Sequence, residues 1–209
     1  MIVSIHQPNY IPWIGFFNKI LSSDVYVVFD DIQFPRGKDY ANRNQIKTNN
    51  GKTWLTIPVI GKSDLKPWNQ IGINKNGWID KHLAIIESFY TKSPYFKEYY
   101  SEIKNIYLKD HNLLIDLTLD LIRHFIKIFD KETKIILSSD IKTDLKGMDK
   151  ILYILKYLQA TKYISGDGDG SKRYIDENLF KENNIELIWQ NYKHPTYNQQ
   201  FGEFIPYMS

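Results

Sequence analysis

Short apolar runs and a helical pattern alternate at the start of the chain. The β-branched residues 2–5 predict a strand, and residues 25–29 predict a second one. Between them, apolar positions over residues 13–21 predict a helix that begins after Pro12, a residue suited to a first helical turn. Strand, helix and strand in this order form a βαβ unit, so the pattern predicts a parallel sheet.

The same alternation returns in the last third of the chain. Strands are predicted over residues 134–137, 162–164 and 185–189, and helices over residues 147–158 and 176–182. Together with the first two, these runs give five strands separated by longer segments. That order is typical of an α/β protein with an open sheet.

The middle of the chain follows other patterns. Trp54–Val59 predicts a strand, residues 70–73 a short one, and the Asn49–Asn50–Gly51 turn indicates a β-hairpin. Helical periodicity then extends from about residue 78 to residue 130. It predicts three amphipathic helices, over residues 78–90, from Ser93 onward, and over residues 112–129. We therefore predict an open, mainly parallel, Rossmann-like α/β sheet with a helical insertion and a small β-hairpin element, in a single domain over residues 1–209.

Polar residues follow each of the five strands of the predicted sheet. They are His6–Gln7, Asp30–Asp31, Ser138–Ser139, Ser165–Gly166, and Gln190 with His194. The carboxyl ends of parallel strands meet at one edge of the sheet, where ligands of such folds bind. The sequence therefore predicts a polar ligand site at this edge.

His6 is the first candidate for catalysis. Imidazole titrates near neutrality, so His6 could accept a proton from an attacking amine or hydroxyl group. Asp30 or Asp31 could orient the ring, or hold a substrate ammonium or a metal ion. The alternative is that His6 hydrogen-bonds its own neighbours at the strand end, while one carboxylate caps the following turn.

Three further features add candidates for the ligand site, and two of them suit an anionic ligand. Basic residues cluster over residues 36–47, where Arg43 and Lys47 would suit phosphate or carboxylate groups, although a solvated hairpin face is the alternative. The loop over residues 165–171 has Gly at alternate positions, so its backbone amides form either an anion site or only a tight turn. His194 is a second polar candidate at a strand end.

Composition excludes several classes of function. The 209 residues contain no Cys, which excludes disulfides, thiolate zinc sites and a cysteine nucleophile. The net charge of +3 is small and no nucleic-acid-binding motif accompanies residues 36–47, so we expect a small-molecule ligand rather than nucleic acid. No apolar run approaches about 20 residues, and the N-terminus lacks the pattern of a signal peptide. We expect a soluble, cytoplasmic protein without a transmembrane segment.

Metal and cofactor motifs are incomplete. Asp167 and Asp169 resemble the start of a calcium loop, but Lys172 and Asn178 stand where such a loop needs glycine and glutamate. The remaining histidines lack metal-ligand spacing, and no Walker loop or complete dinucleotide fingerprint is present. We therefore predict no metal site, and the residues identify no cofactor.

The chain resembles the WbqC-like protein family over essentially its whole length. The signature His6–Gln7–Pro8–Asn9–Tyr10–Ile11–Pro12–Trp13–Ile14–Gly15–Phe16–Phe17 is specific, and the later landmarks occur in order: residues 30–34, 42–44, 54–59 and 163–166, and His194–Pro195 with Tyr197 and Gln199. The family occurs in bacterial surface-polysaccharide (O-antigen) gene clusters and has been suggested to transfer glycine, or a similar acyl group, onto an amino sugar. The resemblance implies a glycyl or acyl transferase that acts on the amine of a sugar, as a nucleotide sugar.

The resemblance also implies roles for individual residues. His6 would be the base, with Asp30 or Asp31 orienting it, and Trp13 or Tyr10 would stack on the sugar. The implied substrate-binding residues are Gln7, Asn9, Tyr10, Trp13, Gln33, Asn42, Arg43, Asn44, Lys47, Ser165, Gly166 and His194, with Arg43 and Lys47 on the phosphates. Members usually continue past the equivalent of residues 204–209 with a short apolar segment, which implies a truncated C-terminus here.

Two other functions stay open at this point. The opening strand, loop and helix resemble nucleotidylyltransferase-type folds, whose His-x-Gly-His motif grips nucleotide phosphates. Trp13 and Phe16 stand at the two histidine positions, so the resemblance implies a similar core but not that chemistry, and an ATP-dependent ligase or nucleotidylyltransferase-like enzyme is one alternative. A non-catalytic protein that binds a sugar nucleotide or glycan is the other. The acyl donor, and any use of ATP, cannot be identified from the sequence.

Overall fold

The structure, a computed structural model, describes residues 1–37 and 39–209, and this part of the chain contains nine strands and seven α-helices. The strands are β1 (Ile2–His6), β2 (Val25–Val28), β3 (Arg43–Thr48), β4 (Gly51–Thr56), β5 (Val59–Ile60), β6 (Gly72–Ile73), β7 (Lys134–Leu137), β8 (Lys162–Ser165) and β9 (Glu186–Trp189). The helices are α1 (Ile14–Leu21), α2 (Trp78–Tyr90), α3 (Phe96–Leu108), α4 (Leu114–Ile128), α5 (Gly147–Tyr157), α6 (Asp169–Tyr174) and α7 (Glu177–Glu182).

The five strands predicted near the two ends of the chain form one parallel sheet. Their order is β7-β2-β1-β8-β9, and all four neighbouring pairs are parallel. The chain builds outward from β1 through β2 to β7, and then returns to the other side of β1 for β8 and β9. This confirms the Rossmann-like open sheet, and it places the topological switch point between β1 and β8, where such sheets bind ligands.

The sheet belongs to the first of two compact units, which consists of residues 1–7, 15–31 and 126–193. Its core forms because the strands are apolar on both faces, as parallel strands covered by helices must be. The buried core residues are Val3, Ile5, Val25, Val27, Ile141, Leu152, Ile154, Leu155, Ala160, Tyr163, Phe180 and Ile185.

The second unit consists of residues 8–14, 32–125 and 194–209. It holds the antiparallel pairs β3–β4 and β5–β6 and the helices α2 and α3. Its core includes Tyr10, Phe34, Trp68, Leu114 and Leu121, all with no exposed surface. The prediction of a single domain over residues 1–209 is not tested by this division and stays a prediction.

The hairpin confirms the turn prediction and corrects the strand next to it. Asn49 and Asn50 form the turn, and Gly51 adopts a φ of 87°, a left-handed conformation that favours glycine. The strand predicted over residues 54–59 is interrupted, since β4 ends at Thr56 and β5 begins at Val59. Pro58 has no N–H for a ladder, and the Ile57 N–H donates to the Asn42 carbonyl instead.

Two elements were not predicted. Strand β3 has the polar sequence RNQIKT, so it lacks an apolar alternation, although Asn44 and Lys47 in it are buried. Helix α6 lies in the Gly-rich segment after Ser165, where Gly at alternate positions argued for a loop. The helix predicted over residues 78–90 is confirmed, and those predicted from Ser93 and over residues 112–129 begin two to three residues later than expected.

Candidate functional site

The polar residues after β2 and β7 form a fixed network in the first unit. The fully buried Asp30 carboxylate accepts hydrogen bonds from the Ser138 hydroxyl (2.9 Å), the Ser139 N–H (3.0 Å) and the Ser139 hydroxyl (2.7 Å). These bonds join the ends of two neighbouring strands, at the edge of the sheet where the sequence predicted that polar residues collect. Asp30 thus has its charge compensated by hydrogen bonds, which is the condition for burying a carboxylate.

Asp31 is held by a buried lysine that the sequence did not single out. Lys150, on α5, is 5% exposed, and its ammonium forms an ion pair with Asp31 at 2.5 Å. The other Asp31 carboxylate oxygen lies 2.5 Å from the Ser138 hydroxyl, which can donate its single proton to one carboxylate at a time. Both carboxylates are therefore engaged by neighbours within this unit.

The His6 ring is held by a backbone carbonyl and by an aromatic ring. Its Nδ1 lies 2.9 Å from the Gln7 carbonyl, and the edge of its ring packs on Phe16, with centroids 5.3 Å apart. A carbonyl can only accept, so this bond assigns the proton to Nδ1, and no hydrogen bond from a described residue engages the Nε2 lone pair. The hydrogen bonds described for Asp30 and Asp31 join these carboxylates to serines and, for Asp31, to Lys150, so the role of either one in orienting His6 stays a prediction.

The pKa of His6 also differs from the value that the sequence suggested. Burial, and to a lesser extent the positive charge of Lys19, lowers this pKa from 6.5 to about 3, against the smaller opposing effect of the Gln7 carbonyl. His6 is therefore neutral at pH 7. It has the free lone pair of a base but a low affinity for the proton.

Lys19 is the second buried lysine near the edge of the sheet. It lies on α1 and is 3% exposed, and burial lowers its pKa from 10.5 to about 7. Its burial is not evident from the sequence, because a lysine in a short amphipathic helix normally lies on the solvated face. The signal that could have found it is its position three residues after Phe16, which places both on one face of α1.

The other predicted residues of this unit lie at the ends of β1 and β8. Ser165 is buried and its hydroxyl donates to the Gly166 carbonyl (3.3 Å), while Gly166 and Gln7 are half-buried. Gln190, at the end of β9, donates from its amide to the Gly15 carbonyl and to Asn18 on α1. The structure thus brings His6, Gln7, Ser165 and Gly166 to the adjacent ends of β1 and β8.

In the second unit, several predicted substrate-binding residues are structural. Asn44 donates from its amide to the carbonyls of Tyr10 (3.2 Å) and Ile11 (2.8 Å), and Asn42 donates to the Ile57 carbonyl (2.7 Å). Both asparagines are buried, so they hold the loop at residues 8–14 and the hairpin rather than face solvent.

Tyr10 must be corrected in the same way. Its side chain has no exposed surface and its hydroxyl bonds to His82 Nδ1 (2.9 Å) and to the Tyr107 hydroxyl. Burial raises the pKa of Tyr10 and lowers that of His82 to about 4, so the group is a neutral polar centre within the core. A ring without an accessible face cannot stack on a sugar.

Lys47 is engaged by the C-terminal segment. It is 4% exposed, and its ammonium donates to the carbonyls of Gly202 (3.3 Å) and Glu203. It also lines a cavity of about 500 Å³ with the rings of Tyr90, Tyr95 and Tyr197. These carbonyl bonds explain its burial without a phosphate.

Arg43 and Trp13 each contact an aromatic ring of this unit. The Arg43 guanidinium lies 4.2 Å above the ring of Trp54, which is 40% exposed, and its Nε donates to the Asp39 carbonyl. Trp13 stacks on His194 with the ring planes 6° apart and centroids 5.9 Å apart. His194 Nδ1 in turn lies 2.8 Å from the Pro195 carbonyl.

The remaining predicted residues of the second unit make fewer contacts. Asn9 is half-buried, and Gln33 is exposed, with its backbone paired to Pro67. Lys38, part of the basic cluster at residues 36–47, lies outside the described residues. The structure therefore divides the predicted residues between the two units, with His6, Gln7, Asp30, Asp31, Ser165 and Gly166 in the first and the others in the second.

The comparisons with known proteins agree with the resemblance in the sequence. The profile of the WbqC-like protein family matches residues 7–209, nearly the whole chain. The chain belongs to the WbqC-like protein family. It is also similar to an uncharacterized protein of Mycobacterium tuberculosis, Rv1507c, with 30% identity over 210 residues that cover 99% of this chain and 90% of that protein. No solved structure shows significant similarity to it.

Among the described residues, no helix is both long and apolar enough to cross a bilayer. Within residues 1–37 and 39–209, no three His, Asp or Glu side chains converge as a metal site would require. What the first unit does offer is a neutral imidazole, a buried amine and two fixed carboxylates at the carboxyl edge of a parallel sheet.

Proposed function

We propose that this WbqC-like protein transfers a glycyl or similar acyl group to the amine of an amino sugar, carried as a nucleotide sugar, in the synthesis of a bacterial surface polysaccharide. The observation that carries the proposal is the free Nε2 lone pair of His6 at the switch point of the sheet. The family's association with polysaccharide gene clusters supports the choice of substrate. Localisation in the cytoplasm, where nucleotide sugars are made, is part of the same proposal.

In this reaction the amine nitrogen attacks the acyl carbon, and the leaving group departs with the electron pair of its bond to that carbon and takes up the proton that the amine loses. His6 Nε2 accepts a hydrogen bond from the attacking amine and so directs the nitrogen lone pair at the acyl carbon. Because the pKa of His6 is about 3, the ring serves better as this acceptor than as the final holder of the proton. The hydrogen bonds of Asp30 with Ser138 and Ser139 stabilise the same edge of the sheet, at which His6 ends β1.

Two observations are also compatible with an alternative function. The low pKa of His6 and the exposed stack of Arg43 on Trp54 would equally suit a protein that only binds a sugar nucleotide or glycan. An ATP-dependent ligase or nucleotidylyltransferase-like enzyme would instead release pyrophosphate from ATP. Binding and turnover must therefore be measured separately.

The test incubates the protein with glycine, ATP and a panel of amino-sugar nucleotides, and identifies products by mass spectrometry. We expect a sugar whose mass increases by one glycyl group, and its loss by at least about 100-fold in His6→Ala. His111→Ala removes a histidine of the second unit that is outside the candidate set and should retain the product. Binding of a sugar nucleotide without any product would favour the binding protein, and pyrophosphate release without acyl transfer would favour the nucleotidylyltransferase-like enzyme.

A further inference from the structure

Lys19 is a buried amine for which the fold supplies no counter-charge. The residue is 3% exposed. Among the residues that the structure describes, its ammonium forms no hydrogen bond or ion pair, and burial alone accounts for its lowered pKa. Buried charged groups in proteins are normally paired, because removal from water is costly otherwise. Lys150 shows the normal case in the same unit, since its ammonium pairs with Asp31.

The position of Lys19 on α1 directs its side chain toward the ligand edge. Strands β1 and β2 are parallel, so α1 runs back from the carboxyl edge of β1 toward the start of β2. Side chains on a helix lean toward its N-terminus, and the four-carbon chain of Lys19 therefore extends back toward the carboxyl edge. The influence of its charge on His6, the last residue of β1, agrees with this direction.

The described groups around His6, on which the charge of Lys19 acts, offer no free anion. His6 is held by the Gln7 carbonyl and by the ring of Phe16, which also contacts Tyr26. Tyr26 is fully buried, and its hydroxyl donates to the His6 carbonyl (3.2 Å). Burial raises the pKa of Tyr26, so this phenol is not an anion either. The two carboxylates at the same edge, Asp30 and Asp31, are engaged by Ser138, Ser139 and Lys150.

We propose that the Lys19 ammonium is the binding group of an oxyanion subsite beside His6, which takes a carboxylate or phosphate group of the ligand. The bound anion supplies the negative charge that no described residue provides. Its oxygen accepts a charge-assisted hydrogen bond from the Lys19 ammonium. The subsite stands at the switch point between β1 and β8, where sheets of this type bind their ligands. The lowered pKa of Lys19 agrees with a buried ammonium that has no counter-ion in the absence of ligand.

This subsite does not depend on acyl transfer. Any ligand with an oxyanion satisfies it, so the subsite can be present in a protein that transfers nothing. Conversely, a measured glycyl transfer would not establish it. The two proposals therefore fail separately, one by turnover and the other by binding.

The experiment follows the lysine side-chain signals of the whole protein by NMR with ¹³C-labelled lysine. Lys19 is assigned as the signal missing from Lys19→Met, and its titration is recorded alone and with inorganic phosphate, acetate or glycine. We expect a midpoint near pH 7 without ligand and an upward shift of at least about one pH unit with the anion that binds. If the Lys19 midpoint shifts with phosphate and with no other probe, the subsite binds phosphate. If it shifts with acetate or glycine, the subsite binds a carboxylate.

The two buried lysines form a matched pair of variants. Lys19→Met should weaken binding of the active probe at least about tenfold, as loss of a charged hydrogen bond predicts, and should raise the melting temperature because it removes an uncompensated buried charge. Lys150→Met should lower the melting temperature, since it leaves the Asp31 carboxylate without its ion-pair partner. The signal of Lys150 should also not follow the added anion.

Two results would overturn the subsite. In the first, the Lys19 midpoint stays fixed with every probe. In the second, Lys19→Met binds phosphate, acetate and glycine as the unaltered protein does. A lower melting temperature in Lys19→Met would contradict the premise as well, because it would mean that the ammonium already has a stabilising partner.

Discussion

At the scale of single residues, burial decides the chemistry of the candidate site more than residue type does. His6 and Lys19 carry the nitrogen groups that general acid–base chemistry uses, but burial lowers both pKa values, to about 3 and about 7. Burial also converts Tyr10 from a stacking candidate into a core residue. The same residues in an exposed loop would behave as their ordinary pKa values suggest.

The depressed pKa of Lys19 predicts a measurable dependence of stability on pH. Between about pH 7 and 10.5 the unfolded chain binds a proton at Lys19 that the folded chain does not, so the free energy of unfolding rises with pH in this window. The slope from this one group approaches about 1.4 kcal/mol per pH unit. Urea unfolding of the protein and of Lys19→Met from pH 7 to 9.5 measures it as a difference between the two.

The variant itself is the control for that slope. All other titrating groups, including the buried tyrosines, are common to both proteins and cancel in the difference. We expect the stability advantage of Lys19→Met to be largest at pH 7 and to shrink as the pH rises. An advantage that does not change over this range would mean that the Lys19 pKa is not depressed.

At the scale of elements, one buried asparagine fixes a loop of the second unit. The Asn44 amide on β3 donates to two carbonyls of the loop at residues 8–14, and its carbonyl oxygen accepts from the Gln45 N–H. A polar side chain that satisfies three buried backbone groups is costly to remove, because each group left without a partner loses its hydration as well. This loop carries Asn9 and Trp13, two of the proposed substrate contacts.

We therefore expect Asn44→Ala to destabilise the protein by about 1–3 kcal/mol. Asn105→Ala is the matched control, since Asn105 is exposed on α3 and its loss should change the free energy of unfolding by less than about 0.5 kcal/mol. Chemical unfolding followed by circular dichroism compares the two variants. Equal stabilities would show that the Asn44 bonds are replaced by water at little cost.

At the scale of the whole molecule, two separate hydrophobic cores stabilise the chain. One lies in the unit with the parallel sheet and contains Ile154, and the other includes Leu121. Neither unit is a continuous segment, because the chain enters each of them more than once. Stability must therefore come from side chains that are distant in sequence.

Removal of apolar volume from either core should cost a similar free energy. Ile154→Ala and Leu121→Ala each delete a side chain with no exposed surface, and we expect about 2–5 kcal/mol for each variant. Tyr157→Ala, at a position that is 63% exposed, is the surface control and should cost much less. A small effect at Leu121 or Ile154 would show that the affected core repacks around the cavity.

The sequence by itself determined the parallel sheet and the helices over residues 78–130, because apolar periodicity is a local signal. The family followed from the signature over residues 6–17. The sequence also predicted that the polar residues after the strands share one edge of the sheet, but not that Asp30 and Asp31 bond to Ser138 and Ser139. It could not reveal strand β3, whose polar residues are buried by partners distant in the chain. The tertiary structure alone decided which polar groups are compensated: Asp31 by Lys150, Lys47 by backbone carbonyls, and Lys19 by no described residue. The pairing of these side chains depends on contacts between residues more than 100 positions apart in the sequence, such as Asp31 and Lys150. A local sequence pattern therefore cannot predict it.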